Sequence, residues 1–440
     1  MIRFALAFGL AVVAALPARA AVNIQEVTSP GGITAWLVEE HSLPFIALEI
    51  RFKGGASLDP EGERGAVNLM TALIEEGAAD LDAQEFAAAR EALAASYSFA
   101  AYDDSIAVST QFLTENRDEA VELLRKALIE PRFDEDAIER VRQQVISGIR
   151  SDATDPNAVA GQTFDDLAFG DHPYGSDRSG TVESVSALTR EDIVEAHQRT
   201  LARDRIYVGA VGDITPDELR GLLDDLFAGL PEEGAPMPDE AEFQLTADMT
   251  VVPMDTAQSV IMFGHEGIER HDPDFFPAYV VNQIFGGSGF DSRLMEEVRE
   301  KRGLTYGIGT YLAPMEHAEL ILGQASTANA RASETIDVIR DEWERIAEDG
   351  VTAKELEDAK TYLTGAYPLR FDGNGRIADI MVGMQMDDLP IDYIATRNDR
   401  IEAVTLEEAN RVAERIYRPE DLHFVVVGEP EGLDGETVAN

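Results

Sequence analysis

Apolar residues recur along the chain with two periods, one typical of strands and the other of helices. Segments rich in β-branched and aromatic residues predict strands, and apolar positions at helical spacing predict helices. We expect the first two strands to pair across a turn at Leu43-Pro44. The first-half strand patterns cover 33–38, 45–52 and two strands within 97–112, and the helix patterns cover 65–76, 117–129 and 135–149.

The same pattern occurs twice. Strand-like residues 205–213 and 422–429 each end in Val-Gly and an acid, 216 residues apart. Acidic helix starts at 133–139 and 351–357 lie 218 residues apart. A duplicated domain explains both offsets. The predicted fold class is therefore α+β, with two homologous domains that each have a mostly antiparallel sheet covered by helices.

A segment rich in proline and acidic residues separates the two repeats. Its composition over 231–239 predicts an exposed linker. A chain of 440 residues is long enough for two large domains. The predicted boundaries are a first domain at 21–230, a linker at 231–247, a second domain at 248–432 and a tail at 433–440.

The N-terminus has the pattern of an export signal. Arg3 precedes an apolar run over 4–16, and Ala18-Arg19-Ala20 matches a cleavage site. We predict a signal peptide over 1–20 that is cut after Ala20. The apolar run is too short for a stable membrane span, and no later stretch reaches about 18 apolar residues. The absence of cysteine excludes disulfides and thiol chemistry and fits a bacterial periplasm.

Acidic residues dominate the composition. The chain has 36 Lys and Arg residues against 83 Asp and Glu residues, a formal charge of −47. This charge repels nucleic acid and anionic lipid, so we expect neither nucleic acid nor a membrane as a partner. Two readings of the acidity remain open: adaptation to a salty environment, or attraction of cationic peptides.

A series of short motifs resembles the pitrilysin and insulinase family of zinc metallopeptidases, family M16, over nearly the whole mature chain. The resemblance implies a peptidase fold built from two similar domains. In the first half the motifs are Leu43-Pro44, 54–59, 65–67, 172–175 and 211–213. In the second half they are 272–274, Gly286-Gly287, 292–294 and 298–306.

Active members of this family carry H-x-x-E-H on a helix of the first half. Two histidines four residues apart share a helix face and bind zinc, and the glutamate is a general base. A glutamate about 75 residues later is the third ligand. Aligned from Gly65, the three ligand positions hold Asn68, Ala72 and Gly148, and the base position holds Thr71. Because none can take over its counterpart's role, we expect no metal in this chain.

A second part of the family's site is retained. The resemblance implies that Arg299 and Tyr306 contact the substrate backbone and the scissile carbonyl, as fixed donors to developing negative charge. Alternatively, Arg299 is a cation at a helix C-terminus and Tyr306 is packed in a strand. The loop with Gly286, Gly287 and Gly289 would let a substrate backbone approach closely, although a plain turn explains it equally well.

These features lead to a hypothesis of divided labour. The chain would be the non-catalytic subunit of a periplasmic heterodimeric zinc peptidase. A homologous partner would bind the zinc, and this chain would supply Arg299 and Tyr306 for the cleavage of unfolded peptides. Two alternatives remain: a metal-free peptide-binding or scaffold protein without a proteolytic role, and a self-contained enzyme that uses acidic residues. No spaced carboxylate pair calls for the last one.

Overall fold

The computed structural model describes residues 23–287, 289, 291–433 and 435–437. The predicted signal peptide over 1–20 and its cleavage site lie outside the described residues. In the first half the elements are β1 (Gln25–Thr28), β2 (Thr34–Glu39), β3 (Phe45–Lys53), α1 (Ala66–Leu73), β4 (Gly77–Ala78), β5 (Leu81–Asp82), α2 (Ala83–Ala92), β6 (Ser96–Ala101), β7 (Ser105–Leu113), α3 (Arg117–Ile129), α4 (Glu135–Asp152), α5 (Pro156–Phe169), α6 (Val182–Ala187), α7 (Arg190–Thr200), β8 (Ile206–Gly212) and α8 (Pro216–Phe227).

The second half repeats much of this order after an irregular stretch. Its elements are β9 (Met249–Pro253), β10 (Gln258–Glu266), α9 (Phe275–Gly286), a π-helical segment (Met295–Glu300), β11 (Thr305–Pro314), β12 (Glu319–Ala328), α10 (Ala332–Asp349), α11 (Ala353–Ala366), α12 (Asn374–Met386), α13 (Tyr393–Ala403), α14 (Leu406–Ile416), β13 (His423–Gly428) and β14 (Glu436–Thr437). No helix in the described part of the chain is long and apolar enough to cross a membrane.

Each half contains one six-stranded sheet. The first has the order β1-β2-β8-β3-β7-β6, and the second has the order β14-β9-β13-β10-β12-β11. In both sheets the last long strand, β8 or β13, runs parallel to one neighbour and antiparallel to the other. This shared topology confirms the predicted α+β class with two similar halves. The residue boundaries proposed for the two domains stay a prediction.

One predicted pairing is wrong. β2 and β3 form as expected but are not neighbours, because β8 lies between them and pairs with both. Val208 of β8 is opposite Ala35 on one side and Ile50 on the other. The apolar residues of β8 are buried, so the strand is stable only at the sheet centre, where both of its edges are paired. The hairpin of β6 and β7 and the helix α3 match the prediction.

The two faces of each sheet are covered in different ways. One face of the first sheet packs on helices of its own half, among them α1, α3 and α8, and the second sheet packs likewise on α9, α10 and α14. The opposite faces are covered by helices from the other half. Helix α12 lies on β3 and β8, and helix α5 lies on β10 and β13.

This exchange of helices follows the repeat. Helix α5 begins at residue 156 and α12 begins at residue 374, the same 218-residue offset that relates the acidic helix starts. The contact of α12 with β8 is close, since a Cβ atom built on Gly209 would lie 2.5 Å from the backbone oxygen of Ala378. Gln385 of α12 also donates a hydrogen bond of 2.9 Å to the carbonyl of Val208. Each half therefore depends on the other for a buried sheet face.

We predict that Gly209→Ala lowers the free energy of unfolding by about 1–3 kcal/mol, because the added methyl group must push α12 away from the sheet. The matched control is Gly221→Ala on the exposed side of α8, where a Cβ meets no atom within 4 Å. That change should stabilise the protein by about 0.5–1 kcal/mol. Urea unfolding followed by circular dichroism measures both. Equal effects of the two substitutions would contradict the packing argument.

Candidate functional site

The three ligand positions and the base position lie on two helices that pack against each other. Helix α1 carries Asn68, Thr71 and Ala72, and it contacts α4, which carries Gly148. Asn68 is half-buried, whereas Ala72 and Gly148 are exposed. The family's arrangement of facing helices is thus present without the side chains that would bind zinc.

The position of the general base is part of the core. Thr71 is only 3% exposed, and its hydroxyl donates a 2.8 Å hydrogen bond to the carbonyl of Val67 one turn earlier. This bond satisfies the hydroxyl within its own helix and leaves no group for proton transfer. At Gly148, by contrast, a Cβ atom would meet nothing within 4 Å. The two positions differ in whether a larger side chain fits.

Charged residues near α1 are already paired with one another. Glu75 forms an ion pair with Arg90, and Glu76 binds Arg140 of α4 through two hydrogen bonds of 2.9 and 2.6 Å. Within the described residues, no group of three or more His, Asp or Glu side chains is arranged to hold a metal ion. The acidic residues that follow α1 therefore have a structural role.

Asp59 holds the start of α1, a role that sequence reasoning missed. Its carboxylate accepts hydrogen bonds of 2.9 Å from the backbone N–H groups of Gly65 and Val67. Burial raises the pKa of Asp59 to about 6, although these hydrogen bonds act in the opposite direction. Gly65 has a φ of 98°, a conformation that favours glycine. The sequence did mark Asp59 and Gly65, because they lie in the motifs 54–59 and 65–67 that resemble those of the family.

Arg299 and Tyr306 lie on an irregular segment of the second half. Arg299 is half-buried in the π-helical segment, whose register is set by the 2.9 Å bond from the Lys301 N–H to the Glu296 carbonyl. Tyr306 is the second residue of the edge strand β11 and is 88% exposed. A β-bulge between Thr305 and Ile308 turns its side chain outward. Tyr306 is therefore not packed as the alternative supposed, whereas Arg299 lies in the last turn of its helical segment, as the alternative supposed.

Hydrogen bonds on both sides hold this segment in place. The Thr305 hydroxyl donates to the Ser326 carbonyl at 2.7 Å, and the Thr327 hydroxyl donates to the Leu304 carbonyl at 2.7 Å. At the other end, buried Arg293 binds Glu355 of α11 at 2.6 and 2.9 Å. Because π-helical turns and bulges are often found at functional sites, a fixed irregular segment with an exposed phenol is a good candidate site.

The ion pair at the base of the segment persists over a wide pH range. Burial acts to raise the pKa of Glu355, but the hydrogen bonds from Arg293 and Thr352 outweigh this effect and lower it to about 2. Glu355 therefore stays ionised at neutral pH and keeps Arg293 in position. The supporting residues Arg293 and Glu355 therefore remain paired at neutral pH.

Packing within the protein explains why two of the neighbouring positions, Gly286 and Gly287, are glycine. A Cβ atom on Gly286 would lie 2.4 Å from the Thr310 hydroxyl oxygen, and one on Gly287 would lie 2.6 Å from the Cα of Gln283. Gly289 has a φ of 122° and open space around it. These contacts explain why Gly286 and Gly287 are glycine without a ligand. The assignment of the three glycines to substrate binding stays a prediction.

Comparison with known proteins gives the same family for both halves. The family model described as insulinase (peptidase family M16) matches residues 36–181, and the model described as peptidase M16 inactive domain matches residues 187–363. A similar protein is the non-peptidase homolog YmxG of Helicobacter pylori, 26% identical over 88% of this chain and 90% of that protein. An uncharacterized zinc protease of Mycobacterium leprae, ML0855, is 24% identical over 90% of this chain and 89% of its own length.

Solved structures agree with these matches. A peptidase M16 inactive domain from Pseudomonas fluorescens superposes with a TM-score of 0.87 at 27% identity, over 94% of this chain and 99% of that one. A protease from Helicobacter pylori gives a TM-score of 0.83 at 18% identity, over 92% and 99% of the two chains, and supports the fold alone. The similarity therefore extends over both halves.

We predict that Thr71→Glu destabilises the protein by more than about 2 kcal/mol, because it buries a charge without a partner. Gly148→Glu is the matched change, since the position is open and lies inside α4. It should leave stability unchanged or raise it by up to about 1 kcal/mol, as glycine is a poor helix residue. Thermal and urea unfolding of the two variants test the contrast. A well-tolerated Thr71→Glu would refute the core role of this position.

A second prediction concerns pH. Glu355→Gln should lower the free energy of unfolding at pH 7 by about 1–2 kcal/mol, because a charge-assisted bond to Arg293 becomes a neutral one. The lowered pKa of Glu355 means that its contribution is complete above about pH 4.5 and is lost as the pH falls towards 2. The gap between the wild type and the variant should therefore shrink below pH 4.5 in urea titrations. A gap that is constant with pH would contradict the prediction.

Proposed function

Because the chain belongs to peptidase family M16, with an inactive-type, non-peptidase site, we propose that it is the non-catalytic subunit of a two-chain zinc peptidase. Its homologous partner binds the zinc and carries the general base. This chain supplies Arg299 and Tyr306 to the shared active site. The observation that carries the proposal is the 88% exposure of Tyr306 on a firmly held segment, while Thr71 is buried at the base position.

The chemistry of the two side chains suits this role. A phenol O–H and a guanidinium are donors that can stabilise the negative charge that develops on a scissile carbonyl oxygen. Such donors are effective only when their positions are fixed before the reaction. The bulge at Thr305, together with the Arg293–Glu355 ion pair, meets this requirement. Asn68, Ala72 and Gly148 at the ligand positions do not provide a zinc site, so the proposal assigns the metal to the partner.

The proposed partner is a zinc-bearing M16 subunit of similar size, and the proposed substrate is an unfolded peptide. Relatives that cover most of this chain include both a protein named a non-peptidase homolog and proteins named zinc proteases, so both types share one chain architecture. The net charge of −47 favours cationic peptides at low salt. The export signal predicted over residues 1–20 is the basis for proposing a periplasmic location.

A second candidate function is metal-free peptide binding or a scaffold role without proteolysis. The observation that favours it is the non-peptidase name of the Helicobacter pylori relative, which matches along 90% of its length. The two candidates differ in one respect that can be measured. Only the peptidase subunit requires a zinc-bearing partner whose activity depends on this chain.

We predict that the purified chain binds no stoichiometric zinc and cleaves no peptide. Mixing it with an exported M16 homologue that has an intact H-x-x-E-H motif should restore cleavage. In the mixture, Arg299→Ala or Tyr306→Phe should lower kcat by about 100- to 1,000-fold, the usual effect of removing one donor to an oxyanion. Metal analysis and a quenched fluorescent peptide assay provide the measurements.

Control variants separate a lost donor from a damaged fold. Tyr306→Phe should leave the unfolding midpoint unchanged, because its side chain is exposed. Tyr102→Phe changes a tyrosine of the first half that is 49% exposed, and it should leave kcat unchanged. Full activity with both Arg299 and Tyr306 replaced would refute their role. Stoichiometric zinc on the single chain would refute the division of labour, and complex formation without cleavage would favour the scaffold function.

A further inference from the structure

A small groove lies in the second half between α9, α12 and α13. It has a volume of about 270 Å³ and is lined by the three arginines Arg270, Arg370 and Arg397 and by five aromatic rings, but by only one carboxylate, that of Asp387. The rings belong to Phe275, Phe276, Tyr279, Tyr367 and Tyr393. The site proposed for Arg299 and Tyr306 does not include this groove, and the inference drawn from it does not rest on the proposed function.

Arg397 is a buried cation without an acidic partner. It is 5% exposed, and among the described residues no carboxylate forms an ion pair with it. Its guanidinium donates to the Leu363 carbonyl at 3.2 Å and to the Tyr279 hydroxyl at 3.4 Å, and lies 4.2 Å from the centre of the Tyr367 ring. Burial of a charge is costly unless an opposite charge compensates it. In a chain with 83 acidic residues, the lack of a carboxylate here is unusual.

Arg270 lies on the same groove with a weak ionic partner. Its guanidinium is 4.3 Å from the centre of the Phe275 ring and donates a 3.0 Å hydrogen bond to the Tyr393 hydroxyl. The nearest ion-pair contact, to Asp387, is 3.6 Å long. Burial raises the pKa of Asp387, although Arg270 acts to lower it. Asp387 therefore compensates only part of the charge in the groove.

The charge of the groove is opposite to that of the whole chain. Three arginines face one carboxylate here, whereas the chain has more than two acidic residues for each basic one. A guanidinium next to aromatic rings recognises an anion that carries an apolar or aromatic group. The N–H donors of the guanidinium bind the carboxylate, and the rings contact the apolar part of the ligand. The volume, slightly below the range of about 300–1,000 Å³ typical of ligand pockets, suits a group about the size of one aromatic amino acid.

We propose that this groove is a binding site for a carboxylate attached to an aromatic or large apolar group. The ligand is either the C-terminal residue of a peptide or a free aromatic acid. Arg270 and Arg397 lie beside the carboxylate, and Arg370 is at the exposed rim. The ligand supplies the negative charge that Arg397 lacks within the protein.

The test is calorimetric titration of the full chain with N-acetylphenylalanine and with its uncharged amide. We expect the acid to bind at least about tenfold more tightly than the amide, because only the acid forms charge-assisted bonds to the arginines. A hexapeptide that ends in a free phenylalanine identifies the source. Binding of the hexapeptide alone indicates a peptide C-terminus, and equal binding of both indicates recognition of the terminal residue only.

Variants connect the binding to the groove. Arg270→Gln and Arg370→Gln should each weaken binding of the acid at least about fivefold. Arg370 is exposed at the rim, so its variant tests the site even if Arg270→Gln fails to fold. The matched control is Arg340→Gln, which changes an arginine 4.9 Å from the Phe424 ring outside the groove and should leave binding unchanged. The proposal would be overturned if the acid and the amide bind with equal measurable affinity, if neither the acid nor the hexapeptide binds at millimolar concentration, or if binding is unchanged in both groove variants.

Discussion

Mutual burial of sheet faces is the constraint on which the rest of this structure depends. Each sheet is apolar on both faces, and the helices of its own half cover only one of them. The other face is covered mainly by a helix from the opposite half, α12 on the first sheet and α5 on the second. Since uncovered apolar faces are unstable in water, neither half is complete alone. The exchange thereby fixes the two halves relative to each other.

The two halves differ in the residues that they place at the candidate functional site. In the first half, α1 and α4 pack against each other, but the ligand and base positions carry residues that cannot take those roles. Thr71 is bonded to its own helix and Gly148 faces open space. In the second half, the costly local features are retained. A π-helical turn and a β-bulge persist around Arg299 and Tyr306, and the Arg293–Glu355 ion pair secures them.

Electrostatics separates this chain into two kinds of surface. The net charge of −47 makes most of the exterior anionic, and many acidic residues near the helices are paired with arginine, as Glu76 is with Arg140. The groove lined by Arg270 and Arg397 is an exception. Arg397 contacts the Tyr367 ring and the Leu363 carbonyl but, among the described residues, no carboxylate, and the carboxylate contact of Arg270 is 3.6 Å long. Burial of such cations is costly for stability, which favours a role in binding over one in folding.

The sequence alone determined the features that depend on neighbouring residues. Helical spacing placed α3, and strand composition placed the β6–β7 hairpin. The resemblance to family M16 implied the three ligand positions, the base position and the Arg299–Tyr306 pair. The spacing of apolar residues and the residue types in a turn are determined by a few neighbouring residues, so both can be read from the sequence.

Only the tertiary structure decided the insertion of β8 between β2 and β3, the helix exchange and the exposure of Tyr306. Each of these results from contacts between segments that are distant in sequence, or from a bulge that no residue pattern marks, and their energies depend on what packs beside them.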